Sequence, residues 1–286
     1  MFNKIIVFLL IMLCVPYFVL AQEKGQAVSL SGHGTYGAYS GSTQRDNIIS
    51  ETLNLSYIPN PENGLNLTVK NSSLNLKSPL NDINGTNIGA EYLWTPKTEK
   101  GSFIGGKVGA LYINSDDQNS DNTFIPFLAM LYKSPDLRKY FDFGYARTAY
   151  NDTTANQFTV TGGVSLFNDF VWSQTRLYYI DLTQMVQGKK NTFAVEERFT
   201  YYAIPEKLSL TLYGMLGQRI YAYDPDLQTA YNLSDIHEGS AGVSLNYNLT
   251  KSVSVYGDVT YEYYNNNNID DKYNVQYSTA GISISF

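Results

Sequence analysis

The stretch Ala241-Gly242-Val243-Ser244-Leu245-Asn246-Tyr247-Asn248-Leu249 places apolar residues at every odd position and small or polar ones between them. Successive side chains of a strand point to opposite faces, so this spacing predicts a strand with one apolar and one polar face. After Thr250-Lys251 the pattern returns in Val253-Ser254-Val255-Tyr256-Gly257-Asp258-Val259-Thr260-Tyr261. Working backwards, it recurs in Leu208 to Tyr213, Phe158 to Leu166, Leu65 to Val69 and Val28 to Leu30. No segment holds a helical period.

Turn and loop signals between these runs divide the chain into fourteen candidate strands. They begin near residues 27, 47, 64, 87, 103, 123, 140, 157, 170, 192, 208, 239, 252 and 274. Twelve is the alternative, because Phe124–Tyr132 and Tyr140–Tyr150 alternate poorly. The connections alternate in character. One set is compact: Pro59 to Gly64, Thr95 to Ser102, Lys133 to Lys139, Asn168-Asp169, Pro205 to Lys207 and Thr250-Lys251. The other is longer and polar, with Asn114–Asn122, Asp181–Asn191, Tyr223–His237 and Asn265–Lys272. The long set is acidic, through Asp116, Asp117, Asp121, Asp224, Asp226, Asp235, Asp270 and Asp271. The compact set leans basic, with Lys97, Lys100, Arg138 and Lys139. An acidic rim opposite a basic one is therefore expected.

A soluble sandwich of two sheets alternates in the same way. Composition separates the two. Charged residues make up 16% of the chain, against about 25% in soluble proteins. Aromatics recur toward strand ends (Tyr57, Tyr92, Trp94, Tyr112, Tyr132, Tyr201, Tyr202, Tyr263, Tyr264), as expected for belts at two membrane interfaces. Lipid tolerates no unpaired backbone, so a spanning sheet must close. The expected fold is all-β, a transmembrane antiparallel up-and-down barrel over residues 22–286. Residues 1–21 read as a secretory signal: Lys4, an apolar run from Ile5 to Leu20, and Val19-Leu20-Ala21 before the cut. Cys14 lies within that signal, so the exported chain carries no disulfide. The net charge of −6 excludes a basic nucleic-acid footprint.

The last segment reads Ser278-Thr279-Ala280-Gly281-Ile282-Ser283-Ile284-Ser285-Phe286. It resembles the C-terminal signal of Gram-negative outer-membrane β-barrels, matching at Ala280, Ile282, Ile284 and Phe286. That resemblance implies recognition by the barrel-assembly machinery and residence in the outer membrane, among lipid and lipopolysaccharide, with both termini periplasmic. Gly144-Tyr145-Ala146-Arg147-Thr148-Ala149-Tyr150-Asn151-Asp152 is similar to YaiO-type barrels.

Opposite the apolar face, the residues expected to line a lumen include Lys70, Glu91, Lys107, Arg176, Glu196, Arg198, Arg219, Asp258 and Glu262. Fourteen strands lie between filled eight-stranded barrels and open sixteen-stranded ones, so a narrow passive pore for small hydrophilic solutes is expected. The arginines could equally pair with Glu196, Asp258 and Glu262 across the wall. No inward-folding loop or plug is evident in the sequence. A structural or binding barrel, or a partner of surface-polysaccharide export, is the second class. A hydrolase is the third, resting on Asp235 and His237, with Ser240 expected on the opposite face. No cofactor or metal is expected: Gly105-Gly106-Lys107-Val108-Gly109 lacks a phosphate-loop context, and Asp116–Asp121 lacks calcium-loop spacing.

Overall fold

A computed structural model describes residues 27–226, 228–230 and 234–286; the signal at 1–21 lies outside them. The described chain is strand and turn, with no helix. Its first strands are β1 (Ala27–Ser40), β2 (Arg45–Asn60), β3 (Asn63–Leu76), β4 (Ile83–Trp94) and β5 (Phe103–Ser115). Then come β6 (Thr123–Lys133), β7 (Lys139–Ala149), β8 (Thr154–Leu166), β9 (Val171–Val186), β10 (Lys189–Ile204) and β11 (Leu208–Arg219). Two short strands follow, β12 (Tyr223–Asp224) and β13 (Thr229–Ala230). The chain ends with β14 (Ile236–Asn248), β15 (Val253–Asn266) and β16 (Asp271–Ser285).

All but β12 and β13 join one closed antiparallel barrel of fourteen strands, each beside its neighbour in sequence, with β1 closing on β16. The seam runs from Ser29 opposite Ser285 to Ser40 opposite Asn274. Phe286 extends it, its N–H donating to Val28 O at 2.8 Å. Closure leaves no unpaired edge.

The outer face is what water would not tolerate. Ile88, Val108, Phe124, Leu128, Met130, Phe193, Leu212 and Leu216 all lie more than half exposed. Tyr92, Trp94, Tyr112, Tyr132, Phe141, Tyr201 and Tyr263 stand on the same face. An apolar surface of this extent on a single chain fits lipid. Tyr264, expected in a belt, instead lies inside and stacks on His237 with ring centroids 4.7 Å apart.

Glu197 interrupts the apolar wall. It shares the outer face of β10 with Phe193 and Phe199. Its pairing row runs from Tyr132 on β6 through Phe141, Gly162, Thr175, Glu197, Gly214, Ala241 and Tyr261 to Gln276 on β16. Tyr132 belongs to the compact-turn belt and Gln276 to the polar end of β16. Strands about 4.8 Å apart and tilted about 40° raise such a row about 3 Å per strand. Glu197 is the middle of the row, so it sits near the mid-height of a band about 25 Å tall. Ser173 Oγ donates to its Oε1 at 2.9 Å, and Thr175 Oγ1 to Oε2 at 2.5 Å. Replacing Glu197 by Leu is expected to stabilise the barrel in lipid by about 1–2 kcal/mol, read from the urea midpoint in vesicles. A lower midpoint would show that the carboxylate is kept for structure.

The compact connections fall where expected, as do the loops within Asn114–Asn122 and Asn265–Lys272; the other two long connections do not. Asp181–Asn191, read as a long loop, is mostly strand: β9 and β10 are joined by a tight turn at Gln187-Gly188, with both residues at positive φ. Between β11 and β14 the described residues 220–226 and 228–230 do not stand on the rim. They fold inward.

Candidate functional site

Ile220, Tyr221, Ala222, Tyr223 and Asp224 are each at most 4% exposed. A segment this apolar cannot remain in water, and the lumen is the nearest dry surface. The chain leaves β11, enters the barrel, turns back through the β12–β13 pair (Tyr223 opposite Ala230, Asp224 opposite Thr229) and returns to β14. This tongue corrects the expectation of a lumen without an inward loop.

The walls are built to receive it. Leu111, Ile113, Ile125, Phe127 and Ala146 point inward from β5, β6 and β7 and form one apolar cluster with Tyr223. Tyr223 meets Phe127 with ring centroids 5.0 Å apart. A second cluster gathers Tyr150, Ala155, Ile180, Leu182 and Val186 around Ile220, Tyr221 and Ala222. Tyr221 stacks on Tyr150 at 4.1 Å. Its hydroxyl accepts from Asn119 Nδ2 at 2.5 Å and donates to Asp152 Oδ2 at 2.7 Å, tying the tongue to two rim turns. β6 alternates poorly in sequence for this reason: its inner face, with Ile125, Phe127 and Leu131, is as apolar as its outer one, whereas β7 adds Ala146 but keeps Asp142 and Thr148 inside.

Polar contacts fix the tongue's register. The Gln157 side chain imitates a strand partner: Nε2 donates to Tyr223 O at 2.7 Å and Oε1 accepts from Tyr223 N at 2.9 Å. Lys70 Nζ donates to Thr229 Oγ1 at 3.2 Å. Gly89 makes room for Gln228; a Cβ there would stand 2.7 Å from its Oε1. At the tip, Arg176 Nη2 donates to Asp226 Oδ2 at 2.8 Å while Arg176 Nε donates to Thr161 Oγ1 at 3.0 Å. Asp224 Oδ1 accepts from Asp226 N at 2.9 Å and lies 4.0 Å from Arg176 Nη1. Burial raises the pKa of the Asp226 carboxyl, but the Arg176 guanidinium, then Lys107, more than reverse this and hold it below the ordinary range.

The other interior candidates divide between tongue and wall. Arg176 pairs with the tongue rather than with Glu196, Asp258 or Glu262. Glu196 takes Arg198 Nη2 at 3.6 Å and Arg219 Nη1 at 3.7 Å, as wall-bridging pairs do. Asp258 accepts from Tyr213 OH at 2.5 Å and from Thr260 Oγ1 at 2.9 Å. Glu262 accepts from Tyr264 OH at 2.5 Å, and Glu91 from Asn66 Nδ2 at 3.1 Å. Lys107 lines a cavity of about 20 Å³ beside Tyr223 and Asp226.

The acidic rim is reduced by the same fold. Asp224 and Asp226 lie against Arg176, and Asp271 is buried, accepting from Ser42 Oγ at 2.8 Å. Asp235 receives Arg45, Asn266 Nδ2 at 2.6 Å and Tyr273 OH at 2.5 Å. His237, expected beside a solvated loop, is fully buried. Its Nδ1 lies 3.1 Å from Arg219 Nη2 and its Nε2 3.1 Å from Gly239 O. An arginine only donates, so Nδ1 accepts and Nε2 carries the proton. Asp235 and His237 therefore serve different partners, and the hydrolytic pair is not assembled. A register shift between His237 and Gly239 also turns Ser240 inward, where strict period two had pointed it outward.

Arg45, Gln157, Tyr178, Tyr221, Tyr223, Asp224, Asp226 and Gln228 escaped the sequence reading as interior residues. The available signal was Ile220-Tyr221-Ala222-Tyr223, an apolar run inside a supposedly polar loop.

No family model matches the sequence and no curated protein matches it either, so the YaiO-type likeness over Gly144–Asp152 finds no counterpart there. Solved structures do resemble it. The CymD monoaromatic hydrocarbon channel superposes with a TM-score of 0.59 at 9% identity, covering 91% of this chain and 88% of the other. A Pseudomonas aeruginosa FadL homologue gives 0.53 at 10% identity, over 91% and 89%. A bacterial polysaccharide outer membrane secretin gives 0.52 at 12%, over 91% and 98%. At these identities the likeness is one of fold, and the fold is that of an outer-membrane β-barrel.

Proposed function

We propose that the protein is a channel of a Gram-negative outer membrane, for small hydrophilic solutes, held closed at rest by the tongue, residues 220–226 and 228–230. The observation that carries this reading is the Arg176–Asp226 latch, which holds a connection inside a barrel too wide to be filled by its own wall. Channel proteins among its fold neighbours support it. So does the cavity left between the latch and the compact-turn rim, because a purely structural barrel has no need of one. The resemblance of Ala280, Ile282, Ile284 and Phe286 to the assembly signal supports insertion by the barrel-assembly machinery. The compact turns and both termini then face the periplasm.

Acid tests the latch. Because Asp226 titrates below the ordinary carboxylate value near 4 in the closed state, its contribution is complete above about pH 4 and is lost as pH falls through the lowered value. Planar-bilayer conductance is expected to be low and level from about pH 5 to 8 and to rise below about pH 4. In Asp226→Asn the acid step disappears and conductance is raised at every pH. A profile in which the parent and the variant coincide would remove the latch from the mechanism.

A further inference from the structure

Between the latch and the compact turns the lumen is open. A cavity of about 340 Å³ is lined by Lys133, Tyr140, Trp172, Gln174, Arg176 and Asp226, and its mouth is the connection carrying Leu137 and Lys139. This volume is at the lower end of small-molecule sites. Three cations face it against one carboxylate, and that carboxylate is already held by Arg176. Among the described residues neither Lys133 nor Lys139 forms an ion pair, and Arg176 Nη1 is buried with no hydrogen-bond partner. The walls between these charges are the rings of Trp172 and Tyr140 and the Leu137 side chain. The Trp172 indole N–H is turned to Gln174 Oε1 at 3.5 Å.

We infer that this vestibule binds organic carboxylates with a planar or apolar body, and that a bound carboxylate takes Arg176 from Asp226 and frees the tongue. A guanidinium recognises any carboxylate by the same paired geometry. The incoming group is therefore a chemical equal of Asp226, and the two lysines favour the intruder. Lys133 and Lys139 draw it in, the rings hold its body, and Arg176 changes partner. The tongue tip, with its shortest ionic contact gone, loses the bond that sets its depth. The unlocking step rests on the closed-channel reading; binding in the vestibule does not.

Trp172 and Trp94 are the two tryptophans, and Trp94 lies on the outer wall, 51% exposed. In the purified full chain carrying Trp94→Phe, Trp172 emission reports the vestibule. Titration with benzoate is expected to shift that emission saturably, while the uncharged benzamide binds at least about tenfold more weakly, as the loss of one charge-assisted contact predicts. Lys133→Gln is expected to weaken benzoate about two- to fivefold, and Asp226→Asn to tighten it. In planar bilayers benzoate raises the conductance of the parent and leaves that of Asp226→Asn, already open, unchanged. Far-UV circular dichroism and heat-modifiable migration check that each variant folds. Benzamide matching benzoate, or Lys133→Gln binding as the parent does, overturns the carboxylate site. Benzoate that binds without changing parental conductance overturns the unlocking. A barrel silent under all conditions, Arg176→Ala included, overturns the channel reading and leaves the binding result standing.

Discussion

Arg176→Ala is expected to turn a closed barrel into a conducting one. The guanidinium is 3% exposed and stands between β9 and the tongue, bonded to Thr161 on one side and Asp226 on the other. Truncation leaves Asp226 and Asp224 facing each other inside the lumen, with Lys107 as the next cation acting on Asp226. Breaking a buried pair by removing one partner costs about 3–5 kcal/mol. Asp226 is 31% exposed, so water screens part of that loss, and the lower end of the range applies. About 3 kcal/mol corresponds to a shift of roughly two powers of ten in the ratio of closed to open barrels. The measurement is single-channel conductance of the reconstituted chain at neutral pH. The parent is expected to show rare openings and the variant a predominantly open state. Arg176→Lys restores charge without the paired geometry and is expected to fall between them. A variant that opens as rarely as the parent would assign closure to the apolar contacts of Tyr221 and Tyr223 instead.

The wall of the barrel was readable because lipid imposes one demand on every strand. The outward residue must be apolar wherever the strand crosses the membrane, so Val243, Leu245, Val255 and Val259 declare their face whatever lies inside. Strand starts at 27, 103, 123 and 208 coincide with the structure, and the others fall within four residues. The errors cluster where a second demand overrides the first. At β6 the inner face is apolar because Tyr223 rests on Ile125 and Phe127, and alternation vanishes. At Asp181–Asn191 polar residues continue as strand above the apolar band, and composition mistakes strand for loop.

The site was less legible than the wall. Period two places Lys70, Glu91, Arg176 and Arg219 on the inner face, yet it is silent on which partner each finds across the lumen. Arg176 and Asp226 are fifty residues apart in sequence, and Lys70 and Thr229 are 159 apart. Such pairs depend on where the tongue enters, which follows from the whole closed sheet rather than from any segment. Tyr221 and Tyr223 have the composition of an interface girdle, and only the missing strand around them distinguishes a plug from a belt.

A second large effect is expected at the seam. Asp235 ends the tongue and stands where the first and last hairpins meet. It receives Arg45 from β2, Asn266 from β15 and Tyr273 from β16. Arg45 also lies over the Tyr273 ring, 4.8 Å from its centroid. Asp271 repeats the connection nearby, accepting from Ser42 Oγ and Thr43 N at 2.8 Å each. In Asp235→Ala the Arg45 charge, 8% exposed, keeps its desolvation cost and loses its ion. Two further donors, on Asn266 and Tyr273, lose an acceptor. The expected loss is about 3–5 kcal/mol, since an orphaned buried charge dominates the other terms. Unfolding by urea in lipid vesicles, followed by circular dichroism, measures it. Asp235→Asn keeps one acceptor oxygen and the volume but not the charge, and is expected to lose about half as much. Arg45→Met with Asp235→Leu removes both ions together and is expected to recover most of the stability, as matched apolar replacements of buried pairs do. If the double variant is no more stable than Asp235→Ala, the seam is held by hydrogen bonds to Asn266 and Tyr273, and the ion pair is incidental to closure.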